Sequence, residues 1–287
     1  MKKIVLSLSM IAVVAIIAVG ATGAFFSDTE TSTGNTFAAG AIDLTIDSTQ
    51  HYNGNVCTLV SGDTEENSSI RYEWVGVSTY PVPGTACDGT WAATDLGAEQ
   101  KFFNFSDVKP GDSGENTVSL HVDNNDAWLR LVIKDVTDLD NSCNQPEGVA
   151  EDDPTCGGET TPGAGELREN LLFFAWLDWG ATQGFQCVSA AECSEDPTEG
   201  DNVKQETEPT IITEGSIDES NSDDGISEIW NFKDLGDAFL PSGSTAYFGV
   251  AWRLPGEVGN EVQTDSMSAT MEFQVEQKRN NSNPFNS

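Results

Sequence analysis

The chain has 287 residues, of which 38% are apolar, and its 47 acidic against 13 basic residues give a formal net charge of −34. This charge excludes nucleic acid and anionic membrane surfaces as partners, because both repel an acidic protein. The length allows one large β domain or two smaller ones, and we favour one domain with insertions. The acidity is explained by salt adaptation, weak divalent-cation binding or plain solubility, so we expect any self-assembly to depend on ionic strength, calcium or acid pH.

The first residues have the pattern of an export signal. Lys2 and Lys3 precede an apolar run over 4–19, and small residues follow up to Ala24. We therefore predict a signal peptide over 1–24, which signal peptidase removes between Ala24 and Phe25. The alternative is an uncleaved membrane anchor, but about 16 apolar residues fall short of the roughly 20 that span a bilayer.

The segment 25–36 that follows the predicted cut is polar and rich in threonine apart from its first two residues. Such a segment cannot pack into a core of its own. It can lie extended along the open sheet edge of another subunit, with its main chain hydrogen-bonded and its aromatic rings in pockets. A disordered N-terminus is the alternative. The predicted donor residues are Phe25, Phe26, Thr29, Thr31, Thr33 and Phe37.

Apolar and polar residues then alternate in several stretches, which is typical of half-buried strands. The predicted strands are 42–47, 70–74, 103–105, 118–122, 128–136, 171–179, 247–254 and 267–276, with one short helix around 229–235. We predict an all-β, two-sheet, jelly-roll-like sandwich over 37–277, because the strands are irregularly spaced and show no repeat. Loop insertions are expected near 48–100, 138–165 and 186–224, and a polar tail over 278–287.

All six cysteines follow the predicted signal peptide, and an even number in an exported protein predicts disulfides. The sequence alone leaves every pairing open, although nearest-neighbour pairing is the simplest, because the cysteines fall two by two into three loop-like regions. Zinc is a weaker alternative, since there is no Cys-x-x-Cys and only His51 and His121 could add imidazole. The cysteines are Cys57, Cys87, Cys143, Cys156, Cys187 and Cys193.

The sequence G-D-S-G over 111–114 resembles the nucleophile loop of chymotrypsin-like serine proteases. A serine nucleophile needs a base and a third group that orients the base, and His51 could be that base. The preceding Lys109 and Pro110 favour a tight turn instead, and Glu115 stands where the protease pattern has a glycine. We predict no catalytic residue here.

Two acidic loops, around 138–144 and 218–224, are candidates for calcium binding, because they are rich in carboxylate and amide oxygens. Neither has the spacing of an EF-hand, and solvated charge is the default in so acidic a chain. We therefore predict no cofactor, with calcium as the alternative. The weak calcium candidates are Asp138, Asp140, Asp223 and Asp224. Asn67 and Asn104 also fit the glycosylation sequon.

Two stretches at the predicted cleavage junction, F-F-S-D-T-E from Phe25 and G-N-T-F-A-A-G-A-I-D-L from Gly34, resemble the mature start of the TasA/camelysin family of secreted biofilm-fibre proteins. F-N-F-S-D-V-K-P-G-D from Phe103, A-W-R-L-P from Ala251 and E-F-Q-V-E-Q ending at Gln277 support the resemblance. It implies a secreted subunit, in the extracellular matrix or at the cell surface, that polymerises head to tail by lending its N-terminal segment to a neighbour. The implied partners are other copies of the chain and a companion matrix or anchor protein.

Other functions remain open at this point. The camelysin branch is classed as metallopeptidase, so a cell-surface metallopeptidase is one alternative, although the His-Glu-x-x-His pattern of zinc peptidases is absent. A monomeric secreted adhesin is another alternative. An archaeal pilin would need processing before Ile4, where only Met1, Lys2 and Lys3 precede the apolar run.

Overall fold

The structure is a computed structural model that describes residues 27–32, 37–38, 42–60, 71–141, 161–162, 165–185, 196–217, 226–236 and 238–285. Several predicted features lie outside these residues. They are the signal peptide, its cleavage site at Ala24 and Phe25, the donor residues Phe26 and Thr33, the four cysteines from Cys143 to Cys193, and the calcium candidates Asp223 and Asp224.

Fourteen strands form in the described part of the chain, with one short helix, α1, at Leu167–Asn170. The strands are β1 Ser27–Ser32, β2 Phe37–Ala38, β3 Asp43–Tyr52, β4 Asn55–Val60, β5 Arg71–Val75, β6 Trp91–Thr94, β7 Ser113–Asp123, β8 Ala127–Asp140, β9 Thr161–Pro162, β10 Leu172–Leu177, β11 Thr210–Gly215, β12 Ile226–Asn231, β13 Thr245–Arg253 and β14 Ser266–Gln277.

These strands build two packed sheets. The first runs in the order β12-β8-β14-β1-β2, with β9 beside β8. The second runs β11-β10-β13-β7-β3-β4-β5, with β6 beside β3. All of the strand pairs are antiparallel. The predicted all-β sandwich is therefore confirmed.

The core lies between the two sheets, where alternate residues of each strand point inward. Burial alternates regularly along β3, as its sequence pattern predicted. Phe248 of β13 and Phe273 of β14 join the sheets, with ring centroids 5.5 Å apart in an edge-to-face arrangement. The fully buried large side chains include Ile42, Leu44, Ile46, Leu96, Leu120, Leu129, Leu131, Ile133, Leu177 and Leu240.

Two predicted elements were wrong. The helix expected around 229–235 is the strand β12 followed by a 3-10 turn at Phe232–Asp234. Pairing with β8 decides this, because it places Trp230 against Phe248, with ring centroids 6.0 Å apart. The strand expected at 103–105 is irregular chain, since the ring of Phe105 is drawn into an aromatic cluster with Tyr52 and Trp252.

Two segments expected as exposed loop or tail are structured. The surface loop predicted from Asp138 starts later, because β8 continues to Asp140. The predicted polar tail packs over the outer face of the first sheet as far as residue 285. There the indole N–H of Trp128 donates to the carbonyl of Asn281 at 2.7 Å, and the Lys278 ammonium lies 3.3 Å from the ring centroid of Phe239. Strand β11, within the predicted insertion 186–224, was also missed.

A disulfide joins Cys57 on β4 to Cys87, across a sequence separation of 30. The nearest-neighbour pairing predicted for these two cysteines is confirmed. The segment before Cys87 also adds main-chain bonds along the outer edge of β5, since the Trp74 amide donates to the Thr85 carbonyl at 3.0 Å and the Cys87 amide to the Tyr72 carbonyl at 3.1 Å. The bridge therefore fastens the segment that covers this sheet edge.

Replacing both partners, C57S together with C87S, should lower the free energy of unfolding by about 2–4 kcal/mol, because the unfolded chain regains the freedom of a closed loop. Denaturant unfolding of the oxidised protein measures this, and peptide mass mapping checks the pairing. An unchanged unfolding midpoint in the double variant would contradict a stabilising role for the bridge.

Candidate functional site

The segment predicted as a donor strand lies on the first sheet of its own chain. β1 runs antiparallel to β14, from Ser27 opposite Glu276 to Ser32 opposite Met271. The short β2 then adds two residues to the outer side of β1. The predicted donor residues Thr29 and Thr31 fall within this ladder, so the edge strand β14 is covered by β1 of the same chain.

β14 is the strand to which β1 is attached, and it lies between β1 and β8. On its other side it pairs with β8 along almost its whole length, from Ser266 opposite Leu139 to Gln277 opposite Ala127. β1 reaches only as far as Met271, so among the described residues the first part of β14 has no partner strand on the side of β1. The edge of β14 is therefore longer than the strand that covers it.

The two histidines lie on the outer face of the second sheet, and each is paired with its own carboxylate. His51 Nδ1 is 3.0 Å from Glu115 Oε2, directly across the β3–β7 ladder. His121 Nε2 is 2.6 Å from Asp47 Oδ2. Burial raises the pKa of Glu115, and the neighbouring His51 acts in the opposite direction. Both histidines line one shallow groove.

This groove does not form a metal centre of the peptidase kind. Within the part of the chain that the structure describes, no three His, Cys, Asp or Glu side chains are grouped so that they could hold a metal ion. The histidines are held apart by the register of the sheet, since His51 stands opposite Glu115 whereas His121 stands opposite Thr45. A zinc peptidase normally needs about three protein ligands on one ion.

The G-D-S-G sequence forms a turn at the start of β7. The carboxylate of Asp112 accepts hydrogen bonds from the Tyr52 hydroxyl, the Asn53 side-chain amide and the Lys109 main-chain N–H, each at 2.8 Å. Gly111 has a φ of +96°, a conformation that favours glycine. Asp112 therefore fixes the tight turn that the sequence indicated at this position.

A buried pair of carboxyl groups fixes the chain between 196 and 208 against the end of β10. Asp178 accepts main-chain N–H bonds from Gly200 at 3.1 Å and Asn202 at 2.8 Å. Glu208 accepts N–H bonds from Gly180 and Gln205, both at 2.8 Å. Burial raises the pKa of Asp178 to about 8, and the charge of Glu208 adds to the shift. Burial also raises the pKa of Glu208, so the pair holds a proton at neutral pH.

Comparison with known proteins bears on the N-terminal part of the chain. Residues 1–69 match the family model described as camelysin metallo-endopeptidase. The resemblance to the camelysin family is confirmed over these residues. The match supports an extracellular or cell-surface, matrix-related protein, and it covers the predicted signal peptide together with β1 to β4.

Other comparisons add little. No curated protein matches the chain. A solved structure titled "Structure of infectious bursal disease virus Gx strain" aligns at 13% identity with a TM-score of 0.18, over 90% of this chain and 57% of that chain. Such a low score supports no inference about fold or function. None of the helices in the described ranges is long and apolar enough to cross a membrane.

The Asp178–Glu208 pair predicts a dependence of stability on pH. The unfolded Asp178 loses its proton near its ordinary pKa of 3.8, whereas the folded chain keeps it up to about pH 8. The contribution of this group therefore falls as pH rises through that window, by up to about 1.4 kcal/mol per pH unit. D178N, which cannot ionise, should gain stability relative to the wild type as the pH rises from 5 to 8.

Chemical denaturation at several pH values measures this difference. E206Q, a change at an exposed carboxylate on the same segment, is the matched control and should follow the wild type. Parallel pH profiles for D178N and the wild type would show that the pair does not hold the proton.

Proposed function

We propose that this protein is a secreted structural subunit that polymerises into extracellular, biofilm-matrix filaments by exchanging its N-terminal strand β1 between neighbouring copies. The observation that carries the proposal is the placement of β1 along the edge of β14. The family match over residues 1–69 supports it, because those residues contain the segment that would be exchanged.

β1 is suited to exchange because it is attached to the rest of the sheet mainly through one strand. It forms a six-residue ladder with one edge strand, and within the described ranges its only other strand partner is the two-residue β2. The sandwich core is built from the later strands, with Phe273 and Val275 of β14 fully buried against them. Releasing β1 therefore uncovers the edge of β14 without breaking the β14–β8 ladder.

A closed monomer and an exchanged filament would contain the same β1–β14 ladder. In strand exchange the contacts are preserved while the chain that supplies the strand changes. The balance between the two states is then determined by protein concentration, by the linking residues 33–36 and by repulsion between subunits. The link has the sequence Thr-Gly-Asn-Thr, and its glycine permits more than one backbone path.

Exchange of this kind gives a filament. Each copy would use its β14 edge to receive a strand and its own β1 to offer one, so the two contact surfaces differ. A heterologous contact whose rotation does not close generates an open chain of subunits. The formal net charge of −34 opposes the approach of copies, so added salt, which shortens the screening length to about 3 Å at 1 M, should favour assembly.

A cysteine pair across the ladder tests the proposal. Thr29 lies opposite Gln274, and directly opposed residues have Cβ atoms about 4.5–5.5 Å apart. In the variant T29C together with Q274C, exchanged filaments should become covalently linked and give a ladder of multimers on a non-reducing gel. Closed monomers should instead give one band of monomer size. T29C alone and the wild type, run beside it, control for the native cysteines.

A second variant separates folding from assembly. The mature chain without residues 25–36 should remain a folded monomer, as judged by circular dichroism, and should form no filaments by negative-stain microscopy at low or high salt. Filaments from this deletion variant, or only intrachain linkage in wild-type-like filaments of the cysteine pair, would overturn strand exchange.

A peptidase is the second candidate, because the matched family is described as a metallo-endopeptidase. It predicts cleavage of casein by the purified mature protein that is lost when a chelator is added. The absence of a three-ligand group among the described residues gives no support to this activity, so chelator-sensitive cleavage would require ligands from outside them.

A further inference from the structure

An uncharged loop interrupts the acidic surface where β5 ends. Residues 74–87 contain no Asp, Glu, Lys or Arg, although 21% of the chain is charged. The described residues leave six large apolar side chains exposed, and three of them lie in this stretch. They are Val75, Val77 and Val82, and Val77 is 99% exposed. We call residues 75–82 the valine loop.

A buried asparagine holds the valine loop in one shape. The side-chain amide of Asn55, which has no exposed surface, donates to the carbonyls of Ser78 at 3.0 Å and Pro81 at 2.8 Å. Its Oδ1 atom accepts the main-chain N–H of Ser78 at 3.0 Å. Gly76 packs so closely that a Cβ there would lie 2.0 Å from the same oxygen. The three exposed valines each adjoin one of these residues, so they are grouped around one anchor.

The two ends of the loop are fastened as well. The Gly84 amide donates to the Trp74 carbonyl at 2.8 Å, and the Trp74 amide donates to the Thr85 carbonyl at 3.0 Å. The disulfide between Cys57 and Cys87 closes the segment. A surface that is already ordered loses little conformational freedom when a partner covers it. The valine loop is therefore pre-organised for binding.

The exposure of these valines is more than the ordinary scatter of apolar residues on a surface. Single exposed apolar side chains are normal, whereas a group of them marks an interaction surface. Burying apolar surface is favourable, so the loop gains free energy when another surface covers it. Val203, at 59% exposed, lies instead next to Lys204 in a charged segment.

The charge of the chain indicates which partner fits the loop. A basic partner could bind almost anywhere on a surface with 47 acidic against 13 basic residues. An acidic partner needs a contact without charge, because like charges that face each other across an interface are destabilising. Another copy of this chain is such a partner. An apolar patch is also complementary to itself, so two copies can meet through the same loop about a two-fold axis.

We propose that the valine loop is a docking surface at which two copies of this chain meet. The loop follows β5 of the second sheet, whereas β1 lies on the first sheet, so the contact is separate from strand exchange. A patch of this size gives a weak contact between two free chains. Its strength multiplies when subunits are linked and many such contacts form together. Side-by-side association of filaments rests on the proposed function, whereas the pairwise contact does not.

Two valine substitutions test the contact. V77D places a charge in the valine loop, and V203D places the same charge at an exposed valine elsewhere, so the net charge of the two variants is equal. Both are made in the oxidised, closed monomer of T29C/Q274C, whose β1 is linked to its own β14 and cannot exchange. Circular dichroism checks that the variants fold alike.

Sedimentation velocity over a concentration series, at about 1 M sodium chloride to screen the acidic surface, measures the self-association. The closed chain and its V203D variant should dimerise equally. V77D should weaken dimerisation by about tenfold or more, as disruption of an interface hot spot does. Equal dimerisation of V77D and V203D, or a closed chain that stays monomeric throughout the series, would overturn the proposal.

The exchange-competent chain separates this contact from strand exchange. V77D should leave the ladder of multimers from T29C/Q274C unchanged on a non-reducing gel, while negative-stain microscopy should show fewer filaments side by side. Loss of the ladder in V77D would show that the loop acts in strand exchange itself, which contradicts a separate docking surface. Absence of the ladder in every variant would count against strand exchange alone, because dimerisation of the closed chain does not require it.

Discussion

The hydrogen-bonding requirement of β14 is the constraint on which the architecture depends. This strand is buried at Phe273 and Val275 and is paired with β8 on one side. Its other side offers a row of main-chain donors and acceptors, and an open edge of this kind pairs readily with any extended segment. The fold covers it with the first described strand of the chain. The first described strand is thereby tied to the last one.

The composition of β1 fits this edge position. Ser27–Ser32 has the sequence Ser-Asp-Thr-Glu-Thr-Ser, with no apolar residue, so its association with β14 depends on main-chain bonds rather than on a hydrophobic face. Main-chain bonds are the same whichever copy supplies the strand. A strand held in this way is easier to move between chains than one whose side chains belong to the core.

The sequence alone predicted the strands in which apolar and polar residues alternate, because this pattern can be read without knowing the partner strands. Alternation along 267–276 and 42–47 was enough to place β14 and β3, because strands with one buried face show their period directly. The helix predicted at 229–235 was wrong, because the apolar spacing of Ile229, Trp230 and Phe232 suits a helix as well as a strand. Only the distant partners, β8 and the ring of Phe248, favour the strand.

The candidate sites were harder to predict from the sequence, because they depend on which strands pair and on the register of that pairing. The sequence could offer 25–36 as a donor, but only the ladder identifies β14 as the edge that receives it. Asp138 and Asp140 were weak calcium candidates in an apparent loop, whereas the structure places both on β8 and buries them. In a chain with 47 acidic residues, a solvated carboxylate and a buried one look alike until the strands are paired.

Burial therefore distinguishes the carboxylates that shape the fold from the many on the surface that confer solubility. Asp178 and Glu208 are buried against main-chain N–H groups and share a proton, and Glu272 is buried against Lys134. In each case nearby hydrogen bonds, a shared proton or a lysine compensates for the lost hydration of the carboxylate. Asp140 has no hydrogen-bond donor among the described residues, so it bears the cost of burial without the compensation that these three carboxylates have.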